Sequence, residues 1–142
     1  MTPTQPPASA YVETQGVRYF ARMLSKIRLF AAGQLREDFH ENLGKGMDDW
    51  ICDFLGIDYA DLRERALKGG SDDEILAWVQ STSGRTLRPI DVRVWNAFIS
   101  KVGWNDELAK RFAFRKAEAG LQDRAEVKTM IEVFEYDEGR KS

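Results

Sequence analysis

One cysteine, one histidine and four prolines in 142 residues exclude a good deal. With Cys52 alone, no disulfide can close within the chain, and metal sites built from several cysteines are ruled out. A single thiol also fits a reducing compartment. With His40 alone, the paired Glu-x-x-His sites of di-iron bundles cannot be assembled, although Glu37 and His40 have that spacing. No apolar run approaches the ~20 residues of a membrane span. The opening MTPTQPPASAYVETQG has neither the basic start nor the apolar centre of a secretory signal. A cytoplasmic chain away from membranes is expected. Excess charge is missing too: at net −2, no general affinity for nucleic acid or anionic lipid is expected. The nucleophile elbow, Ser-x-x-Lys and kinase signatures are absent, and nothing calls for a cofactor or a metal.

What is present is an ordinary supply of core. Hydrophobic residues make up 43% of the chain, with four Trp, eight Phe and four Tyr as large anchors. This length is most simply one domain, able to bury about two-thirds of its unfolded surface without staples. Apolar spacing at three and four predicts helices nearly throughout. In VRYFARMLSKIRLFAA one face holds Phe20, Met23, Leu24, Ile27, Phe30 and Ala31, with Gly33 as a stop. Trp50, Ile51, Phe54 and Leu55 mark a second helix, and Leu62, Ala66 and Leu67 a third. Ser71 and Glu74 form a capping-box pattern for the next. After the turn-rich TSGRTLRP, Pro89 opens a helix whose core stripe is Val94, Trp95, Phe98, Ile99 and Val102. Asn105 is the expected cap of a further helix with Leu108, Phe112 and Ala119 inward. Asp123 and Glu126 resemble a cap for the last. The expected fold is all-α, a single irregular bundle of about seven helices. Residues 1–16 form a disordered or extended lead-in, residues 17–137 one helical domain, and residues 138–142 a flexible tail. A split at the loop of residues 82–88 would leave each half a thin core.

Charge is unevenly spread. Residues 17–46 carry six basic side chains (Arg18, Arg22, Lys26, Arg28, Arg36, Lys45) against three acidic; residues 48–78 carry nine acidic against three basic. At 100° per residue, Arg18, Arg22 and Lys26 share a stripe opposite the apolar face, with Arg28 on a flank. No acid lies between residues 17 and 35 to satisfy them within the helix. They therefore face water, pair with the acidic segment that follows, or hold an anion through planar, multidentate donors.

His40 is the one side chain whose ordinary titration falls near neutrality, so it is the candidate for proton transfer. It can equally be a surface residue making a hydrogen bond. NLGKG invites comparison with a phosphate loop but lacks the strand, the glycine spacing and the Lys-Ser/Thr ending. Asp48 and Asp49, in the first turn that follows, would repel an anion there. Cys52, among Trp50, Ile51 and Leu55, reads as a small core residue. The segment DLRERALKGGSDDEILAWVQ has the length of a helix-turn-helix, but its second helix opens on Asp72, Asp73 and Glu74. Three carboxylates there would face phosphates, so DNA reading is not expected.

Several of these residues fall in an order that resembles a bacterial family known only as a domain of unknown function (DUF5069-like). They are Arg22, Lys26 and Arg28, then Gly33 and Leu35, Phe39-His40, Gly56-Ile57-Asp58, the run from Asp72 through Ile75 and Leu76 to Trp78, and Trp95. The likeness runs from about Val17 onward. It departs at Ser25, where the family carries Asp. It implies a helical fold and a bacterial source, and brings no activity; it also strengthens the case for Arg22, Lys26, Arg28 and His40 acting as one group. The functional expectation is a binding or interaction module. In it Arg22, Lys26, Arg28 and His40, with Asn42 and Lys45, line a polar pocket for an anionic small molecule or a protein partner's acidic group. A homodimer is compatible with that reading. The alternatives are an enzyme using His40 as general acid/base beside charge-stabilising cations, and a purely structural role in which the basic stripe pairs with Asp48, Asp49 or Asp53.

Overall fold

The computed structural model describes residues 3–142. Seven α-helices, one 3-10 helix and a two-stranded ribbon account for the regular structure among them. The chain divides into two compact units, one ending at Trp95 and the other beginning at Asn96.

In the first unit the lead-in is extended and tied down. Gln5 pairs in parallel with Leu35, and the Ala8 amide donates to Ser25 Oγ at 3.0 Å. Strands β1 (Glu13–Thr14) and β2 (Val17–Arg18) pair antiparallel, with Glu13 opposite Arg18 and Thr14 opposite Val17. The turn between them places Gln15 at φ 48° and Gly16 at φ 83°, the two positive dihedrals that suit the twist of a tight hairpin. Two-residue strands are too short to show any alternation, so the sequence carries no sign of them.

Helix α1 (Phe20–Ala31) follows a sharp corner at Tyr19, φ 77°. A 3-10 helix (Glu37–Asn42) leads into α2 (Met47–Leu55), which stops at Gly56 in the left-handed region. Asp58 caps α3 (Tyr59–Leu67) by accepting the Ala60 amide. Ser71 caps α4 (Asp72–Ser83) in the expected capping box, with Glu74 returning the bond. Helix α5 (Pro89–Lys101) begins at its proline. Helix α1 packs on α3, α4 and β1. Phe20, Met23, Leu24 and Ile27 are buried, as are Ile51, Leu55, Leu62, Ile75, Leu76 and Val79. Apolar spacing thus located the inward faces, with three corrections. Leu67, expected beside Leu62 and Ala66 on the inner side of α3, is exposed. Phe30 and Ala31 at the end of α1 are exposed. On α5, Trp95 and Ile99 are buried with Val102 just beyond, whereas Val94 and Phe98 point outward.

The second unit packs α6 (Ala109–Glu118) against α7 (Met130–Asp137). Leu121, Val127 and Val133 form its buried cluster, with Phe112, Ala119 and Tyr136 against it. Neither expected cap is used: α6 begins without a side-chain cap, and α7 takes a later one. Asp106, not Asn105, accepts the Gly103 and Leu108 amides, because Asn105 itself sits at φ 50°. Thr129, not Asp123, caps α7: Thr129 Oγ1 accepts the Glu132 amide, and Glu132 accepts the Thr129 hydroxyl. Two Thr/Asp-x-x-Glu patterns lie six residues apart here, and the local pattern cannot choose between them. Beyond α7 the chain folds back, with the Arg140 and Lys141 amides donating to the Glu135 carbonyl.

Two glycines differ in a way that tests the packing. Gly33 (φ 71°) has open space where a Cβ would go, whereas at Gly44 (φ 77°) a Cβ would lie 2.8 Å from the Tyr59 ring. Gly33→Ala should cost only the backbone strain of about 1–2 kcal/mol. Gly44→Ala should cost clearly more in chemical denaturation, and the reverse order would show that the Tyr59 ring yields freely.

Candidate functional site

Three elements of the first unit converge on one carboxylate. Asp48 lies in the first turn of α2 with no solvent exposure, and a buried carboxylate must be paired or hydrogen-bonded. Lys26 Nζ, from α1, sits 3.2 Å from its Oδ1. The Tyr19 hydroxyl donates to the same oxygen at 2.7 Å and receives the Lys26 ammonium at 3.1 Å. The Gly44 amide donates to Oδ2 at 3.0 Å. Beside them Arg22, only 1% exposed, sends Nη1 to the Ala8 carbonyl at 3.1 Å and lays its guanidinium 5.5 Å from the Phe39 ring centroid. Burial pushes the Tyr19 hydroxyl well above its ordinary value; the Asp48 charge adds to this, while Arg22 opposes it. Tyr19 is therefore a neutral donor at any ordinary pH.

The local chain explains why these groups meet. Arg22 and Lys26 are one turn apart on α1 and share a stripe. Tyr19, just before the helix, reaches that stripe through its left-handed backbone, a conformation that is uncommon for a bulky residue and persists only where surroundings fix it. Its ring and hydroxyl are fixed here by Asp48 and Lys26, and its amide by the Ala10 carbonyl. Of the basic stripe read from sequence as facing away from the core, Arg22 and Lys26 are thus themselves buried, whereas Arg18 lies on β2, before the helix, and is partly exposed. Helix α1 is enclosed on its charged side as well as on its apolar one.

The remaining sequence candidates lie apart from this group. Arg28 binds Asp72 Oδ1 at 2.5 Å and the Gly70 carbonyl at 3.2 Å, tying α1 to the start of α4. His40 is exposed; its Nε2 lies 2.9 Å from the Leu35 carbonyl, as donor, and its ring meets Phe30 edge-on at 4.9 Å. Asn42 ends the 3-10 helix and Lys45 lies in the turn after it, both exposed, and the Lys45 amide donates to the Asn42 carbonyl. Of the six residues, two are brought together. Asp48 and Tyr19 complete that pair: pairing with Asp48 was among the readings of the basic stripe, whereas Tyr19 had no signal, because nothing in the local pattern marks a left-handed corner. Among the described residues, no three His, Cys, Asp or Glu side chains gather as a metal ion would need. Nor, among those residues, is any helix long and apolar enough to cross a membrane.

Chemically, this arrangement holds an anion that belongs to the protein. Deleting it should be expensive: Asp48→Ala leaves buried cations without their carboxylate, a loss of about 3–5 kcal/mol in urea denaturation. A loss under about 1 kcal/mol would mean that water or another carboxylate takes its place. Cys52, buried on α2 with its thiol 3.8 Å from Met23 Sδ, gives a second test. Burial, followed by the charges of Asp48 and Asp49, pushes its thiol from 9.0 up to about 12. The thiol should resist alkylation at pH 8 until the chain unfolds. As pH rises from 9 towards 12, the unfolded chain sheds a proton that the folded chain keeps, so stability should fall through that window. Cys52→Ser should flatten this part of the profile.

No curated protein matches this chain. A family model described as "Domain of unknown function (DUF5069)" matches residues 4–140, a span that takes in both units and all of the groups described above. The chain belongs to the DUF5069 family of domains of unknown function.

Proposed function

We propose that the chain is a small interaction module that receives the acidic group of a protein partner, and that its anion-accepting face lies on α6. The observation that carries this is the makeup of α6. Four of its ten residues are basic, Lys110, Arg111, Arg115 and Lys116, against one acid, Glu118. At 100° per residue Lys110, Ala113, Phe114 and Ala117 share the outer face, with Arg111 beside it. All five are exposed, and Phe114 at 63% is the most exposed large apolar side chain among the described residues. An exposed aromatic flanked by cations and small side chains is the composition of an interface anchor. An acidic protein segment suits it better than a polyanion, because a long nucleic acid or a lipid surface would also sense the net charge of −2.

The reading from sequence, a pocket of Arg22, Lys26, Arg28, His40, Asn42 and Lys45, has less support. Lys26 is engaged with Asp48 and Arg28 with Asp72, so an external anion would have to displace a resident carboxylate. The enzymatic alternative, with His40 as general acid/base, draws support only from that residue's exposure. A cytoplasmic location accords with one buried, unreactive thiol and the absence of a disulfide partner.

The test is a nitrogen-15 NMR titration with a Glu-rich peptide carrying one Leu anchor, and separately with inorganic phosphate. The peptide should shift the amides of Lys110, Arg111 and Phe114, and salt should weaken it. Lys110→Glu with Arg111→Glu should weaken binding about tenfold or more, and His40→Asn should not change it. Shifts centred on His40 and Lys45, or produced equally by phosphate, would return the site to the first unit.

A further inference from the structure

Helix α4 has an outer face of acids and small side chains. Its buried residues, Ile75, Leu76 and Val79, lie on one side. Counting 100° per residue, Asp73, Glu74, Ala77 and Ser81 share the other, and all four are exposed. No basic residue occurs in this helix. Helix α6 has the same layout with the opposite charge: Lys110 and Arg111 in its first turn, then Phe114 and Ala117 on the outer side. The other helices that carry acids do not match α6 in this way. On α3 and α5, Arg63 and Arg93 are exposed among them. On α2, Asp53 stands one turn after Asp49, where Phe114 would need its seat. Helix α7 buries Glu135 and uses Glu132 to close its own start.

We infer that α6 of one copy of this chain docks on α4 of a second copy, parallel to it, with its cations over the acids and Phe114 over Ala77. The inference rests on α6 being the anion-accepting face, and it names the acidic partner. Spacing and charge select this occupant. Phe114 follows Lys110 by four residues, as Ala77 follows Asp73, so ~6 Å along either axis separates charge from apolar contact. In that register Arg111 meets Asp73, Lys110 meets Glu74, and Ala117 lies against Ser81. The Phe114 ring fills the hollow that a methyl side chain leaves between its neighbours, as a knob fills a hole. An antiparallel pair would instead bring Glu118 to Asp73 and Glu74, like charge against like. The acids of α4 are not equally engaged within the chain: Asp72 holds Arg28, Glu74 gives Oε1 to Ser71, and Asp73 is exposed. Because two different faces meet, each copy both gives an α6 and receives one, and a twofold axis closes the pair with the contact made twice. A helix of 10 residues is ~15 Å long, so one contact falls short of the about 800 Å² per partner of a standard interface. The association is therefore weak, concentration-dependent and sensitive to salt.

Sedimentation equilibrium of the full chain at low salt tests this by charge exchange. The chain should associate reversibly, and Arg111→Glu or Asp73→Arg alone should weaken association about tenfold or more while circular dichroism stays unchanged. Mixing the two variants should restore it. The new glutamate on α6 of one then faces the new arginine on α4 of the other, and the second contact of the pair keeps its native charges. Ala77→Trp, which fills the seat of Phe114, should weaken association as well. The Glu-rich peptide should compete with the second copy, and should bind the Asp73→Arg chain as it binds the native one, because α6 is untouched there. A monomer at every concentration that still binds the peptide would overturn this inference and leave α6 to another acidic protein. A monomer that ignores the peptide would overturn both this inference and the reading of α6. Association that survives each charge reversal, or that mixing does not restore, would place the contact elsewhere. If Asp73→Arg fails to fold, Ala77→Trp and Arg111→Glu decide.

Discussion

A carboxylate with no access to water is the constraint on which the first unit is built. Asp48 gives up its hydration on folding, a cost of several kcal/mol unless charge and hydrogen bonds replace it. The Lys26 ammonium, the Tyr19 hydroxyl and the Gly44 amide do so. Each partner then imposes a condition on the chain that carries it. Lys26 requires α1 to run with its charged stripe against α2. Tyr19 requires a left-handed corner between β2 and α1. Gly44 requires a residue without a side chain, because the Tyr59 ring occupies the space a Cβ would take. Arg22, one turn before Lys26, extends the same buried strip towards the lead-in through the Ala8 carbonyl. Helix α1, the turn before α2 and the lead-in are thereby held to one another by polar contacts as well as by apolar packing.

Much of this fold was legible in the residues, and the gaps have physical causes. Helices show because burial repeats along them: Phe20, Met23, Leu24 and Ile27 announce α1, and Ser71 with Glu74 announces the start of α4. What failed was the inference from sequence distance to chemical isolation. No acid stands within one turn of Arg22, Lys26 or Arg28, and the local rule sees nothing else. Yet Asp48 lies 22 residues beyond Lys26 and Asp72 lies 44 beyond Arg28. A chain that reverses direction brings these pairs together, and only the tertiary fold reveals the reversal. Tyr19 was hidden for a related reason. Its role depends on a backbone dihedral that its own side chain disfavours and its contacts enforce.

The outer faces show the opposite failure. Val94 and Phe98 were placed in the core because an apolar residue at helical spacing is normally buried. On α5 the spacing fits two faces, and periodicity cannot tell which is inside when both are apolar. The indole of Trp95 settles it. Its nitrogen needs a buried acceptor and finds the Arg18 carbonyl, whereas Val94 makes no such demand. Polar satisfaction fixes the orientation of this helix more firmly than apolar content does.

The same reasoning separates cations that close the fold from those on the proposed docking face. Arg22, Lys26 and Arg28 looked uncompensated by local count; Arg22 and Lys26 are buried in closing the fold, while Arg28, partly exposed like its partner Asp72, ties α1 to α4. On α6 the count is as lopsided, but no residue of that helix is fully buried, so its charge is not spent on enclosing a carboxylate. The bond between Arg115 and Glu118 there, at 3.1 Å, lies on partly exposed side chains, and such pairs hold little energy and exchange readily. A buried pair resists exchange because separating it strands a charge in a medium that cannot solvate it. An incoming acidic group would therefore meet a small barrier at α6 and a large one at Asp48. Burial of the cation, more than the number of basic residues around it, marks which surface is available to a partner.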